Sequence, residues 1–257
     1  KQKKINVVCC HHEQASAMAA DAYSRVSGET GVAIATSGPG ATNLITGIAG
    51  CFYDSVPTLF LTGQVSTFRQ SGDLNIRQFG FQETPIIPIC EKIVKYSVQI
   101  KDPMRIRYEL EKAIYIANEG RPGPVLIDIP DNIQRELINP RELDIFLPKI
   151  KPQISSDKNI LNSIQKVINK LLTSERPIII AGWGIHLSKT EKEFISLVNL
   201  LKIPVVLTWG ANDLMQEKDI YRVGTFGTHG NRFSNLAVQN SDFILSLGCR
   251  MDTKATG

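Results

Sequence analysis

The chain has 257 residues, of which 42% are hydrophobic and 21% charged, with a formal net charge of +4. This size and apolar content suffice for one large or two modest domains with cores of their own. The small, dispersed positive charge argues against nucleic-acid binding, and no apolar run is long enough to span a membrane. Five scattered cysteines, an odd number, indicate a reduced, cytoplasmic protein rather than a disulfide framework.

Strands and helices alternate through the first half of the sequence. A helix is predicted from about Glu13 to Ser27, where Gly28 is a C-cap signal. Asp102 and Pro103 begin the clearest helix, which ends at Gly120. Its predicted apolar stripe is Ile106, Leu110, Ile114 and Ala117. The other predicted elements are strands at 32–36, 58–62 and 124–129 and a helix at 41–52.

The alternation stops at a proline-containing stretch and then resumes. Prolines occur at 130, 140, 148 and 152, and the second half of this interval is predicted to be a linker. Beyond it we expect helices near 160–172, at 188–201 and after Gly230, and strands at 178–181, 204–207 and 243–247. Alternation of this kind favours parallel sheets covered by helices. We therefore predict an α/β protein with a three-layer α/β/α domain at 1–150 and an incomplete Rossmann-like α/β domain at 151–257.

Two cysteines and two histidines precede the first helix, from Cys9 to His12. They are contiguous at an expected strand end, where alternate side chains point to opposite faces instead of converging on zinc. We therefore predict no metal site, but two buried cysteines and two half-exposed histidines. A cysteine nucleophile would need a histidine brought in by the fold, which the sequence leaves open.

Glu13 falls in the first turn of a helix, where the helix dipole favours a carboxylate for structural reasons alone. The helix is rich in residues that let another backbone approach closely: Ala15, Ala17, Ala19, Ala20 and Ala22. A carboxylate beside such a dry contact would have a raised pKa and could exchange a proton near neutral pH. The turn Gly38-Pro39-Gly40 is neither a dinucleotide fingerprint nor a P-loop, but its glycines allow a flat ligand to approach the backbone.

Several long motifs resemble the pyrimidine-binding domain of thiamine-diphosphate-dependent enzymes, acetolactate synthases in particular. They are the stretch 11–65, GFQETPI at 80–86, Lys95, and EGRPGPVLIDIPDNIQ at 119–134. The second domain is similar to the central domain of that family through GWG at 182–184, GTFGTHGN at 224–231 and LGCRMDTKATG at 247–257. The resemblance covers nearly the whole chain.

The resemblance implies roles for matching residues. Glu13 matches the catalytic glutamate that hydrogen-bonds the aminopyrimidine ring of thiamine diphosphate and promotes its activation. The active-site side of the cofactor is matched by Pro39, Asn43 and Gln82, and the substrate channel by Phe81 and Lys95. FAD contacts of acetolactate synthases are matched by Arg121, Gly227, Thr228, His229 and Gly230. A glycine-rich turn before a helix could hold the pyrophosphate of FAD. Structural alternatives are a core position for Phe81, a solvated charge for Lys95 and a surface role for His229.

The chain also departs from the family pattern. Met251-Asp252-Thr253-Lys254 stands where the family has two aspartates and an arginine, which weighs against flavin. Ser66 replaces a proline and the loop 67–79 is longer, which favours a different acceptor such as a sugar ketone. The Gly-Asp-Gly and Asn-Asn pattern that holds Mg²⁺ in the family is missing. We therefore expect a fragment of an enzyme about twice as long, without the first strand and helix and with magnesium bound by the absent C-terminal domain.

The leading hypothesis is part of a carboligase that decarboxylates pyruvate, a 2-oxo acid, and transfers the two-carbon unit to a keto acceptor, as in branched-chain amino acid biosynthesis. The alternatives are another thiamine-diphosphate-dependent lyase or oxidase, a sugar-ketone carboligase, and a non-catalytic assembly module. The resemblance implies a homodimer or tetramer with active sites between subunits, and a regulatory subunit as a further partner. The fragment alone is expected to be inactive.

Overall fold

The computed structural model describes residues 5–148 and 158–256. The chain forms two compact units, Lys1–Ile150 (unit 1) and Lys151–Gly257 (unit 2). Within the described residues, no helix combines the length and the apolar character that crossing a membrane requires.

Unit 1 contains a four-stranded sheet in the order β1-β2-β4-β3, in which every pair is parallel. The strands are β1 (Gly31–Ala35), β2 (Thr58–Gln64), β3 (Tyr96–Gln99) and β4 (Val125–Pro130). Since all four run in one direction, their carboxyl ends meet along one side of the sheet, here called the carboxyl edge.

One face of this sheet is covered by α1 (Glu13–Ser27) and α3 (Ile45–Asp54), with the buried Phe60 and Ile48 between them. The packing is close because small residues meet. A Cβ atom on Gly47 would lie 2.3 Å from the Cβ of Ala17, and one on Gly31 would lie 2.0 Å from the carbonyl oxygen of Ala20. Ala17 and Ala20 therefore pack inside unit 1, whereas Ala15, Ala19 and Ala22 are exposed.

The opposite face is covered by α5 (Ile106–Asn118), which follows a 3-10 turn at Pro103–Arg105. Asp102 is the N-cap, as predicted, and accepts a hydrogen bond from the Met104 amide at 2.9 Å. The predicted stripe is wrong at Ile114, which is 42% exposed, because Ala113 takes the buried position with Ala117.

Several other predicted elements differ from the observed ones. The helix expected at 41–52 is divided into α2 (Pro39–Asn43) and α3, while α4 (Ile86–Cys90) and β3 were not predicted. Residues 5–10 form no strand, so the expected burial of the cysteines is wrong: Cys9 is exposed and Cys10 only half-buried. His12 is also exposed, and its ring caps α1 by accepting from the Gln14 amide at 3.1 Å. A last short helix of unit 1 is α6 (Asp131–Gln134).

Unit 2 contains a second parallel sheet, in the order β7-β6-β5-β8. Its strands are β5 (Pro177–Ala181), β6 (Val205–Leu207), β7 (Arg222–Thr225) and β8 (Phe243–Leu247). Its helices are α7 (Lys158–Thr173), α8 (Gly184–Leu187), α9 (Glu191–Leu201), α10 (Arg232–Gln239) and α11 (Thr253–Thr256). The helix predicted at 188–201 corresponds to α9, which begins three residues later, and α8 and β7 were not predicted. Parallel sheets with flanking helices confirm the predicted α/β fold class.

Candidate active site

Glu13 lies beside the carboxyl edge of unit 1, in the first turn of α1. Its carboxylate accepts a hydrogen bond from the Asn43 side-chain amide, with Nδ2 3.0 Å from Oε2. Asn43 is the last residue of α2, the short helix that follows the carboxyl end of β1. The structure therefore brings together two residues that the sequence singles out, from segments thirty positions apart.

The pKa of Glu13 is lowered, contrary to the rise expected from the sequence. The hydrogen bond from Asn43 is the largest cause, followed by one from a backbone amide, and together they outweigh desolvation. The carboxylate is only half-buried. Of the five alanines expected to create a dry contact beside it, Ala15, Ala19 and Ala22 are exposed. Unit 1 on its own thus stabilises Glu13 as an anion.

The turn Gly38-Pro39-Gly40 lies against this carboxylate. Gly38 has φ 64°, in the left-handed region that favours glycine, and Pro39 begins α2 with its side chain exposed. A Cβ atom on Gly40 would lie 2.8 Å from Thr36 Cγ2 and 3.4 Å from Glu13 Oε1. Only glycine therefore fits here without displacing Thr36, and the backbone of the turn lies close to the Glu13 carboxylate.

The segment Gly80–Thr84 packs onto the same turn. Gln82 has φ 65°, an uncommon value for a residue with a side chain, and its Cβ would lie 2.8 Å from a Cβ on Gly38. Two backbones in left-handed conformations therefore meet side by side. This contact brings Gln82 to the predicted site.

Glu83 closes the long loop that precedes this segment. Its carboxylate accepts from the Ser71 amide at 2.6 Å, the Ser71 hydroxyl at 2.7 Å and the Phe79 amide at 2.8 Å. Burial raises the pKa of Glu83, but these hydrogen bonds outweigh burial and the pKa is lowered. Sequence analysis missed this role, although a glutamate beside an unusually long loop is a signal that could have indicated it.

Asp128 is a second functional candidate that sequence analysis missed, because it lies within an apolar strand. Only 1% of its surface is exposed, and burial raises its pKa. Its carboxylate accepts from Thr62 Oγ1 at 2.7 Å, Gln99 Nε2 at 2.9 Å and Gln64 Nε2 at 3.3 Å. The Gln64 amide also donates to the Thr84 carbonyl at 2.7 Å. The buried carboxylate thereby supports the segment that carries Gln82.

A cavity of about 760 Å³ opens at the carboxyl edge, between the ends of β1, β2 and β4. Ser37, which directly precedes the Gly38 turn, lines it together with Phe81. Phe81 is 85% exposed, so it is not a core residue. The structure therefore places Phe81 at the rim of a cavity that borders the turn beside Glu13.

Comparisons with known proteins identify the family of this chain. The model described as thiamine pyrophosphate enzyme, N-terminal TPP binding domain, matches residues 1–100, and the one described as the central domain of the same enzymes matches residues 164–257. The chain belongs to the thiamine pyrophosphate enzyme family. Thiamine pyrophosphate is another name for thiamine diphosphate, so the family resemblance of the sequence is confirmed.

Relatives in this family are similar along nearly the whole chain. An acetolactate synthase large subunit from Cyanidium caldarium is 38% identical over 262 residues, which cover 100% of this chain and 43% of the relative. A probable acetolactate synthase large subunit from Methanocaldococcus jannaschii is 39% identical over 97% of this chain and 42% of its own length. An acetolactate synthase large subunit from Lactococcus lactis is 36% identical with the same two coverages. The chain thus spans about four-tenths of the length of these relatives.

Lys95 lies away from the carboxyl edge in this member of the family. Its ammonium group donates to the carbonyls of Ile116 and Glu119, the second at 2.6 Å, at the C-terminal end of α5. Lys95 immediately precedes β3 and therefore lies at the amino end of the sheet. Unit 1 does not bring Lys95 together with Glu13, and the contacts observed are those of a helix cap. Desolvation lowers its pKa.

The residues predicted to contact FAD are occupied by internal hydrogen bonds. In unit 2, the Gly227 amide donates to Asn235 Oδ1 at 2.8 Å, the Thr228 amide to the Lys254 carbonyl at 2.7 Å and the Gly230 amide to the Gly227 carbonyl at 2.9 Å. In this structure the three amides thus have partners within unit 2, and FAD binding at the turn stays a prediction. His229 lies against Trp209, with ring centroids 4.9 Å apart. In unit 1, Arg121 donates from Nε to Ser55 Oγ at 2.6 Å.

Proposed function

We propose that this chain is part of an acetolactate-synthase-like carboligase. The whole protein decarboxylates pyruvate and transfers the two-carbon unit to a keto acceptor. The observation that supports this most is the carboxylate of Glu13, held by Asn43 beside the glycine turn at the carboxyl edge. The relatives named acetolactate synthase large subunit, at 36–39% identity, favour this activity over other reactions of the family.

The residues present fit the pyrimidine ring of thiamine diphosphate. When bound, the cofactor supplies an electron sink for the carbon that loses carbon dioxide. Glu13 would hold a ring nitrogen by a hydrogen bond, with Asn43 fixing the orientation of the carboxyl group. A ring placed against Glu13 would exclude water and raise its pKa from the low value of unit 1. Proton exchange near neutral pH at Glu13 therefore depends on the bound ring.

The proposed reaction requires Mg²⁺ but not flavin. Among the residues that the structure describes, no three or more His, Cys, Asp or Glu side chains form a group that could hold a metal ion. We therefore assign Mg²⁺ binding to a part of the whole protein beyond residues 5–148 and 158–256. Flavin is left out of the proposed reaction, because the amides of Gly227, Thr228 and Gly230 are already committed within unit 2.

We also propose that the whole protein is a homodimer or tetramer with α1 at a subunit interface. The exposed apolar residues of α1 follow helical spacing and form one stripe: Ala15, Met18, Ala19, Ala22, Tyr23 and Val26. Val26 is 89% exposed, which is uncommon for an aliphatic side chain with such neighbours. A stripe of small and apolar residues suits close packing against its own copy across a two-fold axis.

The proposal is tested with the full-length protein, thiamine diphosphate, Mg²⁺ and pyruvate. Glu13→Gln keeps hydrogen bonding but cannot supply the proton, so decarboxylation should fall by about a hundredfold or more. The exposed Glu29, just beyond α1, provides the matched control, and Glu29→Gln should leave the rate unchanged. Both variants should unfold at the same denaturant concentration as the parent. Near-normal turnover of Glu13→Gln would remove the basis of the proposal.

A further inference from the structure

The cavity at the carboxyl edge has the size and position of a small-molecule site. Its volume of about 760 Å³ lies within the usual range for ligand pockets. In open parallel sheets, ligands bind outside the carboxyl ends of the strands. Ile34, Leu61, Ile129 and Phe81 give the cavity an apolar lining, and Ser37 connects it to the turn beside Glu13.

The charge of this cavity is unbalanced. Two charged residues line it, Arg69 and Asp131. Asp131 is paired with Arg135, whose Nε and Nη2 both lie 3.0 Å from Oδ1, and the charge of Arg69 also acts on this carboxylate, so two cations face one anion here. The guanidinium of Arg69 lies 5.6 Å from the Phe68 ring centroid and donates no hydrogen bond to any residue in the described part of the chain. One positive charge with unused donors therefore faces the cavity.

The backbone that carries Arg69 is held in place. Arg69 ends the 3-10 turn Thr67–Arg69, and its amide donates to the Ser66 carbonyl at 2.7 Å. Thr67 is fixed to the start of α6, since its amide donates to Asn132 Oδ1 at 2.9 Å and its hydroxyl accepts from Asn132 Nδ2 at 3.1 Å. Binding through Arg69 would therefore require ordering only of its side chain, which keeps the entropic cost of binding small.

We infer that Arg69 binds the anionic group of the acyl acceptor in this cavity. The inference rests on the proposed carboligase function and adds the acceptor class, an anionic carbonyl compound. The planar fork of a guanidinium matches the oxygens of a carboxylate or a phosphate with two parallel hydrogen bonds. The apolar wall beside Phe81 then receives the carbon chain. A 2-oxo acid and a phosphorylated ketose share this chemistry, so the experiment must separate them.

The experiment compares Arg69→Gln with Arg77→Gln in the full-length protein. Arg77 is an exposed arginine of the same loop that does not line the cavity, and it therefore provides a matched control. Pyruvate is the donor, and the acceptors are 2-oxobutanoate, dihydroxyacetone phosphate and the neutral butane-2,3-dione. For the anionic acceptor that the protein uses, Arg69→Gln should raise KM by about ten- to a hundredfold with kcat nearly unchanged. Arg69→Lys should recover part of the loss, and the neutral acceptor should be unaffected.

One further measurement separates the possible failures. Decarboxylation of a substoichiometric amount of pyruvate reports the donor reaction alone, and Arg69→Gln should leave it unchanged. If Arg69→Gln and Arg77→Gln behave alike with both anionic acceptors, the inference is wrong while the proposed function stands. The inference is also wrong if Arg69→Gln slows decarboxylation as much as it slows transfer to the acceptor. Arg69 would then act on the donor reaction or on the fold. If the parent protein joins pyruvate to no acceptor, the proposed function itself fails.

Discussion

The side-chain amide of Asn43 donates a 3.0 Å hydrogen bond to the carboxylate of Glu13. This bond connects the start of α1 with the end of α2, so the catalytic candidate is fixed by the same short helix that forms the turn beside it. It is also the largest cause of the lowered pKa of Glu13. The geometry and the titration of Glu13 therefore depend on one neighbour.

Asn43→Leu should raise the pKa of Glu13, because the hydrogen bond that stabilises the anion is lost. A carboxyl group whose pKa is depressed in the folded state contributes stability above its unfolded pKa and loses that contribution as the pH falls through the folded pKa. The variant should therefore be less sensitive to acid than the parent. NMR titration of the Glu13 side-chain carbon tests this, with Thr42→Val, on the same helix, as control. An unchanged Glu13 titration in Asn43→Leu would contradict the assignment.

Gly47 and Gly50 lie in the same helix but have opposite surroundings. A Cβ on Gly47 meets the Cβ of Ala17 at 2.3 Å, whereas a Cβ on Gly50 has nothing within 4 Å. Gly47→Ala should destabilise unit 1 by about 1–3 kcal/mol through overpacking. Gly50→Ala should stabilise it by about 0.5–1 kcal/mol through helix propensity. Urea denaturation of both variants checks the difference, and the same sign for both would show that α1 and α3 are further apart.

The buried Asp128 should make stability depend on pH. Because burial raises its pKa, its contribution is fully present below the unfolded pKa and is lost as the pH rises through the folded pKa. Asp128→Asn is nearly isosteric and can still bond to Gln64, Gln99 and the Thr62 hydroxyl, so it should remove this dependence while keeping the fold.

Asp128→Leu should be far more damaging, since Thr62 and Gln99 would lose their acceptor and Gln64 would keep only its bond to the Thr84 carbonyl. We expect a loss of about 3 kcal/mol or more at neutral pH. Unfolding free energies of the parent and both variants, measured across the pH range, test the two expectations together. Identical pH profiles of the parent and Asp128→Asn would show that Asp128 has the same pKa in the folded and unfolded states.

Lys95→Met distinguishes a structural role from a role in the substrate channel. The variant keeps the apolar stem but loses the bonds to two carbonyls at the end of α5. Stability should fall by about 1–2 kcal/mol, while the KM for pyruvate in the full-length protein stays the same. Lys92→Met, at a neighbouring exposed lysine, should change neither. A raised KM with normal stability would support the channel role.

The exposed stripe of α1 should control association. Ala19→Arg places a bulky charge at its centre, so the dimer of the full-length protein should dissociate at protein concentrations at which the parent remains assembled. Glu29→Arg adds positive charge just beyond the helix and should have no such effect. Analytical ultracentrifugation measures both. A dimer of undiminished affinity in Ala19→Arg would exclude α1 from the interface.

Local signals explain which parts of the fold were predictable. The Gly28 cap, the Asp102 N-cap and the apolar strands are each encoded within a few residues, and the strand at 243–247 was predicted with its observed bounds. β3, with the sequence YSVQ, is short and half-polar, so it lacks the apolar run that identifies the other strands. Once β3 was missed, the position of Lys95 at the amino end of the sheet could not be deduced.

Site residues were predictable where the family resemblance gave them a role. They were not predictable where their role depends on hydrogen-bond partners that are distant in the sequence. The resemblance assigned roles to Glu13 and Asn43 but none to Asp128, although Asp128 lies in a matching stretch, and its partner Thr62 is 66 positions away in the sequence. The low pKa of Glu13 was missed for a related reason. Its cause is a side chain from another helix, and the sequence alone shows only the alanines next to it.

The carboxylate of Glu83 has a consequence for how this protein can diversify. Because it bonds to both Ser71 and Phe79, the two ends of the intervening loop meet at one residue and need no support from the sheet. Residues between them can be inserted, deleted or exchanged while the strands keep their register. Natural variation can therefore change the length and sequence of this loop while unit 1 keeps its fold, whereas laboratory selection for new acceptors should begin with Arg69 and Phe81, which line the cavity.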